Sequence, residues 1–256
     1  MLQCAVGERL RTLFILIFLF LPASAMATNS DFSTKRKLRM ACVEFAPFEH
    51  QTPEGSNGLF VERARDMARR AGYDIEPVFV PIKRMPKLLS NGDVDLWVGL
   101  THYKEFKEIA LAGTKTLMQL ELMTYTYGRD LEAKALEDLK KYRLLLMSGY
   151  SYGGLLDEIR NPKNKFSYIE VKDNEQAFRL LSANRADIFL NYKHSWDVWQ
   201  KNRPTVKLHS HLFATLPVHI AVSRKTLEAN DVLKNLERNI PAESEISKTA
   251  DPKKKP

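Results

Sequence analysis

The sequence predicts an α/β protein made of two similar βαβαβ units joined by a crossover and closed by a chain return. Three observations predict it. Short apolar runs alternate with amphipathic stretches from about residue 38 to residue 240. The order strand, helix, strand, helix, strand occurs twice, which implies parallel sheets with helices packed on their faces. A long alternating run, "MQLELMTYTYGR" (118–129), separates the two units.

In the first unit, "LRMACVEF" (38–45) reads as a strand. Phe60, Ala64, Met67, Ala68 and Ala71 recur at helical spacing, and Gly72 is placed to close that helix. "IEPVFV" is the next strand, "KRMPKLLS" a short helix stopped at Asn91-Gly92, and Val94 to Gly99 a third strand. In the second unit, Arg143 to Met147 is a strand and Ser151 to Arg160 a helix. "FSYIEV" is a strand, Asp173 or Asn174 caps a helix carrying Ala177, Phe178 and Leu181, and Ala186 to Leu190 is a strand. "SWDVWQKNR" reads as a helix with Ser195 as N-cap. "VHIAVSRKT" and "LEANDVLKNLERNI" read as a return to the first unit.

The ends read differently. Arg9 and Arg11, the apolar "LFILIFLFL" (13–21) and the small residues of "ASAMA" have the form of a secretory signal peptide, cleaved after Ala25 or Ala27. Its apolar core is shorter than the roughly 20 residues that span a bilayer. Cys4 lies upstream of that core, so an exported protein without a lipid anchor is expected. Residues 28–256 suit one large domain or two lobes of about 100 residues each. The expected organisation is lobe one at 28–122, lobe two at 123–213, a return at 214–240 and a polar tail at 241–256. Cys42 is then the sole cysteine, so no intramolecular disulfide forms.

The formal charge is +8, but "KRKLR" (35–39) and "KKK" (253–255) hold nearly all of the excess. A nucleic-acid surface needs a basic stripe on the folded body, so no nucleic acid is expected as a partner. No cofactor is expected either.

Ligands of open α/β sheets bind beyond the carboxyl ends of the strands. The strand at 94–99 empties into Thr101, His102, Tyr103 and Lys104, which makes that segment either a polar loop or a cleft wall. "GYSYG" (149–153) matches the G-x-S-x-G of hydrolases and lies between a strand and a helix. The upstream oxyanion loop is missing, and backbone N–H groups with the Ser151 hydroxyl at a helix N-terminus would bind an anion without covalent chemistry. His209 and His211 share a strand face, but the sequence supplies no third ligand, and a polar strand face is the expectation. Trp97 reads as core.

Five stretches in order, "FAPFEH", "GLFVERARDMARRAGY", "VPIKRMPKLLSNGDVDLWVGLTHYKE", "EDLKKYRLLLMSGYSYGGLL" and "NEQAFRLLSANRADIFLN", resemble the periplasmic solute-binding proteins of bacterial ABC importers, of the polar amino-acid (family 3) type. The resemblance implies a periplasmic location and a two-lobed periplasmic binding protein type II architecture with the ligand closed between lobes. It places Phe45 over the ligand side chain, Gly99 and Thr101 on lobe-one contacts, and Tyr150 and Ser151 on the carboxylate-binding turn. Two positions depart from the family pattern. Lys104 stands for its arginine clamp, and Asn191 for the aspartate that pairs the α-amino group. Lysine is a point charge where arginine is a fork, which points to an anionic or amphoteric solute.

The reading is a non-enzymatic, monomeric protein that captures a small polar solute, amino-acid-like or a small carboxylate. Its partner would be a membrane permease of an ABC importer or, in a signalling variant, a sensor kinase. The rival is an enzyme: a Ser151 hydrolase, or a dehydratase or lyase with Glu44 or His102 as acid–base group.

Overall fold

The computed structural model describes residues 35–241 apart from Glu54 and residues 102–105. The signal-peptide segment, Lys104 and nearly all of the polar tail lie outside the described residues.

The first unit opens with β1 (Arg36–Cys42), a short hairpin of β2 (His50–Thr52) and β3 (Gly55–Asn57), and helix α1 (Leu59–Arg70). Phe60, Val61, Ala64, Met67 and Ala68 form its buried stripe. The chain turns at Gly72, with φ of 84°, into β4 (Tyr73–Phe79). A 3₁₀ turn at Ile82–Arg84 then leads to α2 (Met85–Asn91) and β5 (Leu96–Gly99). The sequence suggested one helix from Lys83. The α-helix starts later because Pro86 lies in its first turn, where a missing N–H costs nothing. Gly92, in the left-handed region at φ 81°, ends it.

A short helix α3 (Phe106–Ile109) and strand β6 (Ala110–Ala112) precede β7 (Met118–Thr126). The second unit runs through α4 (Leu136–Leu139), β8 (Arg143–Met147), α5 (Leu155–Arg160), β9 (Ser167–Val171), α6 (Asn174–Ser182), β10 (Ile188–Tyr192) and α7 (Lys193–Gln200). Asp173 caps α6 by accepting from the Gln176 N–H at 2.7 Å. The chain returns along β11 (His209–Ser223) to α8 (Ala229–Arg238).

The strand order is β4-β1-β5-β11-β7-β10-β8-β9, with β6 added beside β11. Each end of the sheet is parallel: β4, β1 and β5 on one side, β10, β8 and β9 on the other. The antiparallel pair β7 and β11 lies between them. β11 is longer than the sequence suggested. Its first part pairs with β7 and its last residues with β5 and β6, so one strand serves both halves. Leu38, Val98, Leu122, Leu144, Leu190 and Ile220 belong to one buried apolar cluster that runs through both.

Two helix starts in the second unit also differ from expectation. α5 begins at Leu155, after a 3₁₀ turn at Tyr152–Gly154 whose Gly153 and Gly154 have φ of 68° and 98°. α7 begins at Lys193, so Ser195 is not its N-cap. The buried Ser195 hydroxyl instead donates to the Ala46 carbonyl at 2.9 Å.

Candidate functional site

The carboxyl ends of β1, β5, β8 and β10 point toward one cavity of about 730 Å³. One wall comes from the first unit: Val43, Phe45 and Glu49 after β1, Phe79 at the end of β4 with Val80 to Lys83, Met85 and Pro86 beyond it, and Trp97 with Gly99 on β5. The facing wall is the turn Ser148 to Ser151 after β8, with Tyr192 at the end of β10.

That turn is held by Tyr152. Its buried phenol accepts from the Met147 N–H at 2.6 Å and donates to the Leu190 carbonyl at 3.1 Å, tying the end of β8 to β10. The backbone reverses through Gly149 at φ 87° and Tyr152 at φ 51°. Within the turn, the Tyr150 N–H already bonds the Met147 carbonyl at 3.3 Å, and the Ser151 carbonyl accepts from Gly154 and Leu156. The turn therefore consumes part of the amide array that an anion would need. Ser151 itself is exposed.

An aromatic group crosses the cavity edge. Phe45 packs on Phe48 at 4.7 Å between ring centroids, on Tyr150 at 4.9 Å and on Tyr192 at 5.6 Å. The Tyr150 phenol lies 3.5 Å from the Ser195 hydroxyl, and burial raises its pKa. Burial also holds the Tyr192 phenol well above its ordinary value.

Phe45, Gly99, Tyr150 and Ser151 thus line one cavity. Thr101 is buried beside it and not on its wall. Asn191 is fully buried and both ends of its amide are engaged: Nδ2 donates to Asn174 Oδ1 at 2.7 Å, and Oδ1 accepts from the Tyr192 N–H at 2.8 Å. It shapes the strand end and is not on the cavity wall. His211 Nε2 lies 2.6 Å from Asp130 Oδ1, with His209 at 4.0 Å from the other oxygen. Among the described residues no group of three or more such side chains could hold a metal ion.

Glu49 and Trp97 are among the wall residues that sequence reasoning did not assign to a site. Glu49 has no exposed surface, yet lines the cavity. Its Oε2 accepts from the Val43 N–H at 2.7 Å, and Oε1 has no hydrogen-bond partner. Burial pushes this carboxyl up to about 8; the Val43 N–H opposes the shift and the nearby Glu44 adds to it. Trp97 is in the core as expected, 7% exposed within a buried apolar cluster, but it also lines the cavity and has an indole N–H without a partner. Its ring explains Gly99: a Cβ there would stand 2.7 Å from Trp97 Cζ2. The alternation of β5 puts both residues on one face, which is the signal that links them.

No protein-family model matches the chain, and no curated protein matches it. Solved structures do. The chain is similar to an ancestral arginine-binding protein bound to arginine, at 20% identity over 83% of this chain and 92% of that one, with a TM-score of 0.60. It is similar to holo ArgBP from T. maritima at 19% identity over 86% and 99%, again at 0.60. A histidine kinase sensor domain with similarity to periplasmic binding proteins matches at 17% identity over 84% and 91%, at 0.63. An ancestral amino acid-binding protein, a precursor of cyclohexadienyl dehydratase, matches at 17% over 85% and 92%, at 0.60. Among the described residues no helix is long and apolar enough to cross a membrane. The chain has the two-lobed α/β fold of the periplasmic binding proteins, with its cavity where the two halves of the sheet meet.

Proposed function

We propose that the protein is a periplasmic solute-binding protein that captures a small polar solute and delivers it to the permease of an ABC importer. Its lobes would be residues 28–122 with the return 214–240, and residues 123–213. The observation that carries this reading is the aromatic-edged cavity of about 730 Å³, built from strand ends of both halves on a fold whose relatives in structure bind arginine and glutamine. Small-molecule clefts typically have volumes of roughly 300–1,000 Å³. The sensor-kinase variant has support in the similarity to a kinase sensor domain, and both readings share the capture step.

A hydrolase is the weaker alternative. Among the described residues no histidine hydrogen-bonds the Ser151 hydroxyl, and its neighbouring amides are partly spent inside the turn. The test has two arms. A thermal-shift screen of amino acids, amines and small carboxylates should find a stabilising solute. At about 100 times its dissociation constant, a ligand adds roughly 2.7 kcal/mol. A fluorophosphonate should leave the protein unlabelled. Stoichiometric labelling that is lost in Ser151→Ala, with no stabilising solute, would replace the binding reading by an enzymatic one.

A further inference from the structure

Three charged side chains occur among the described residues of the cavity wall: Glu44, Glu49 and Lys83. Glu44 and Lys83 are exposed, whereas Glu49 is fully buried. Nearly everything else on the wall is apolar or aromatic. Glu49 serves the Val43 amide with one oxygen only. That bond asks for an acceptor and not for a charge, so a glutamine would make it equally well. A carboxyl that leaves its second oxygen without a partner in an apolar wall costs free energy in the empty protein. A ligand group can remove that cost.

We infer that Glu49 is the recognition point for a cationic, N–H-bearing head group of the solute, carried on an apolar body that packs against Phe45, Trp97 and Tyr192. The inference rests on the solute-binding reading and names the ligand class. Three features support it. The unpartnered Glu49 oxygen would accept from a charged donor, the stronger kind of hydrogen bond. The aromatic faces of Trp97, Phe45 and Tyr192 favour a cation electrostatically. With Glu49 ionised, carboxylates outnumber the single ammonium on the described wall. The preference is opposite in sign to the one suggested by Lys104, which is outside the described residues.

The experiment is titration calorimetry of the protein and of Glu49→Gln with three probes that share one body: 2-phenylethylguanidine, 2-phenylethanol and 3-phenylpropionate. The guanidinium does not titrate near neutral pH, so pH dependence reports on the protein. The charged or titratable groups electrostatically coupled to Glu49 or sharing its wall are Glu44, Lys83 and the Cys42 thiol, which burial holds well above its usual range and therefore neutral. The guanidine should bind about tenfold or more tighter than the propionate. Glu49→Gln should weaken the guanidine about tenfold or more, the scale of one charge-assisted hydrogen bond, and leave 2-phenylethanol within about twofold. In wild type alone, guanidine binding should tighten between roughly pH 6.5 and 8.5, as the carboxyl ionises. Tighter binding of the propionate overturns the inference. So does a solute from the wider screen that binds equally to wild type and Glu49→Gln, and that result leaves the solute-binding reading standing. No binding of any solute overturns both.

Discussion

The rings of Phe45 and Tyr150 meet edge to face, with centroids 4.9 Å apart and planes at 78°. Phe45 follows β1 and Tyr150 follows β8, so this contact fastens the two halves of the sheet beside the cavity. An aromatic pair adds about 0.5–1.5 kcal/mol beyond its burial. Phe45 also touches Phe48 and Tyr192. Phe45→Ala should therefore cost about 1–3 kcal/mol, below the roughly 3–5 of a fully buried phenylalanine, because Phe45 is only half-buried. If the two lobes hinge as proposed, it should also raise the radius of gyration in solution scattering, because a contact that holds them closed is lost. An unchanged radius with lowered stability would mean that Phe45 packs within one half and does not fasten the two.

Gly99 and Trp97 make a sharper test. A methyl at residue 99 would press on Trp97 Cζ2, Cε2 and Nε1 at 2.7–2.8 Å, and the indole is packed among buried neighbours. Gly99→Ala should lose about 1–3 kcal/mol, the usual cost of overpacking. Trp97→Leu makes room. The double variant should be more stable than the two single losses predict, with a coupling of about 0.5–3 kcal/mol for residues in contact. Additive losses in chemical denaturation would refute the steric account.

Much of this arrangement was visible in the chain. The two βαβαβ units follow from apolar periodicity, and the strand ends at Phe45, Gly99 and Tyr150 follow from where each apolar run stops. What escaped was whatever depends on distant partners. Ser195 has the residue type of an N-cap, but its hydroxyl is claimed by Ala46, far away in sequence. Asn191 stands at a strand end, where a ligand contact is natural, but Asn174 on α6 and the next peptide take its amide. Glu49 sits between Phe48 and His50, and nothing local says that it will lose all contact with water.

The start of β8 and the start of β10 are clipped together by Asp187. Its Oδ2 accepts from the Arg143 N–H and Nε, both at 2.9 Å. Its Oδ1 accepts from Arg143 Nη2 at 2.9 Å and Arg129 Nη2 at 2.7 Å. The Arg143 guanidinium, hydrogen-bonded to it, is the largest cause that holds this carboxyl down at about 2. A depressed pKa stabilises the fold above the unfolded value near 3.8, and that contribution is lost as pH falls toward 2. Discounted for solvent screening, it amounts to about 1–2 kcal/mol. Asp187→Asn should lower the midpoint of thermal unfolding at pH 7 and nearly match wild type at about pH 2. A gap of the same size at both pH values would show that charge is not the cause.

Glu49 should act on stability with the opposite sign. Its carboxyl titrates near 4.5 when unfolded and is pushed up to about 8 in the folded protein. Between those values the unfolded chain has released a proton that the folded chain still holds. Stability from this group is therefore fully present below about pH 4.5, declines as pH rises toward 8, and is flat above that. Glu49→Gln keeps an acceptor for the Val43 amide and has nothing to titrate. The variant should gain on wild type steadily from pH 5 upward, by an amount on the order of a few kcal/mol at pH 8.5. At roughly 2–4 °C per kcal/mol for a chain of this size, thermal unfolding across that range resolves the divergence. A saturating guanidinium probe should close the gap, because it stabilises the ionised carboxylate only in the folded protein. Unfolding curves that stay parallel from pH 5 to 8.5 would show that Glu49 reaches water, and with that the reason for assigning it a cationic partner would be gone.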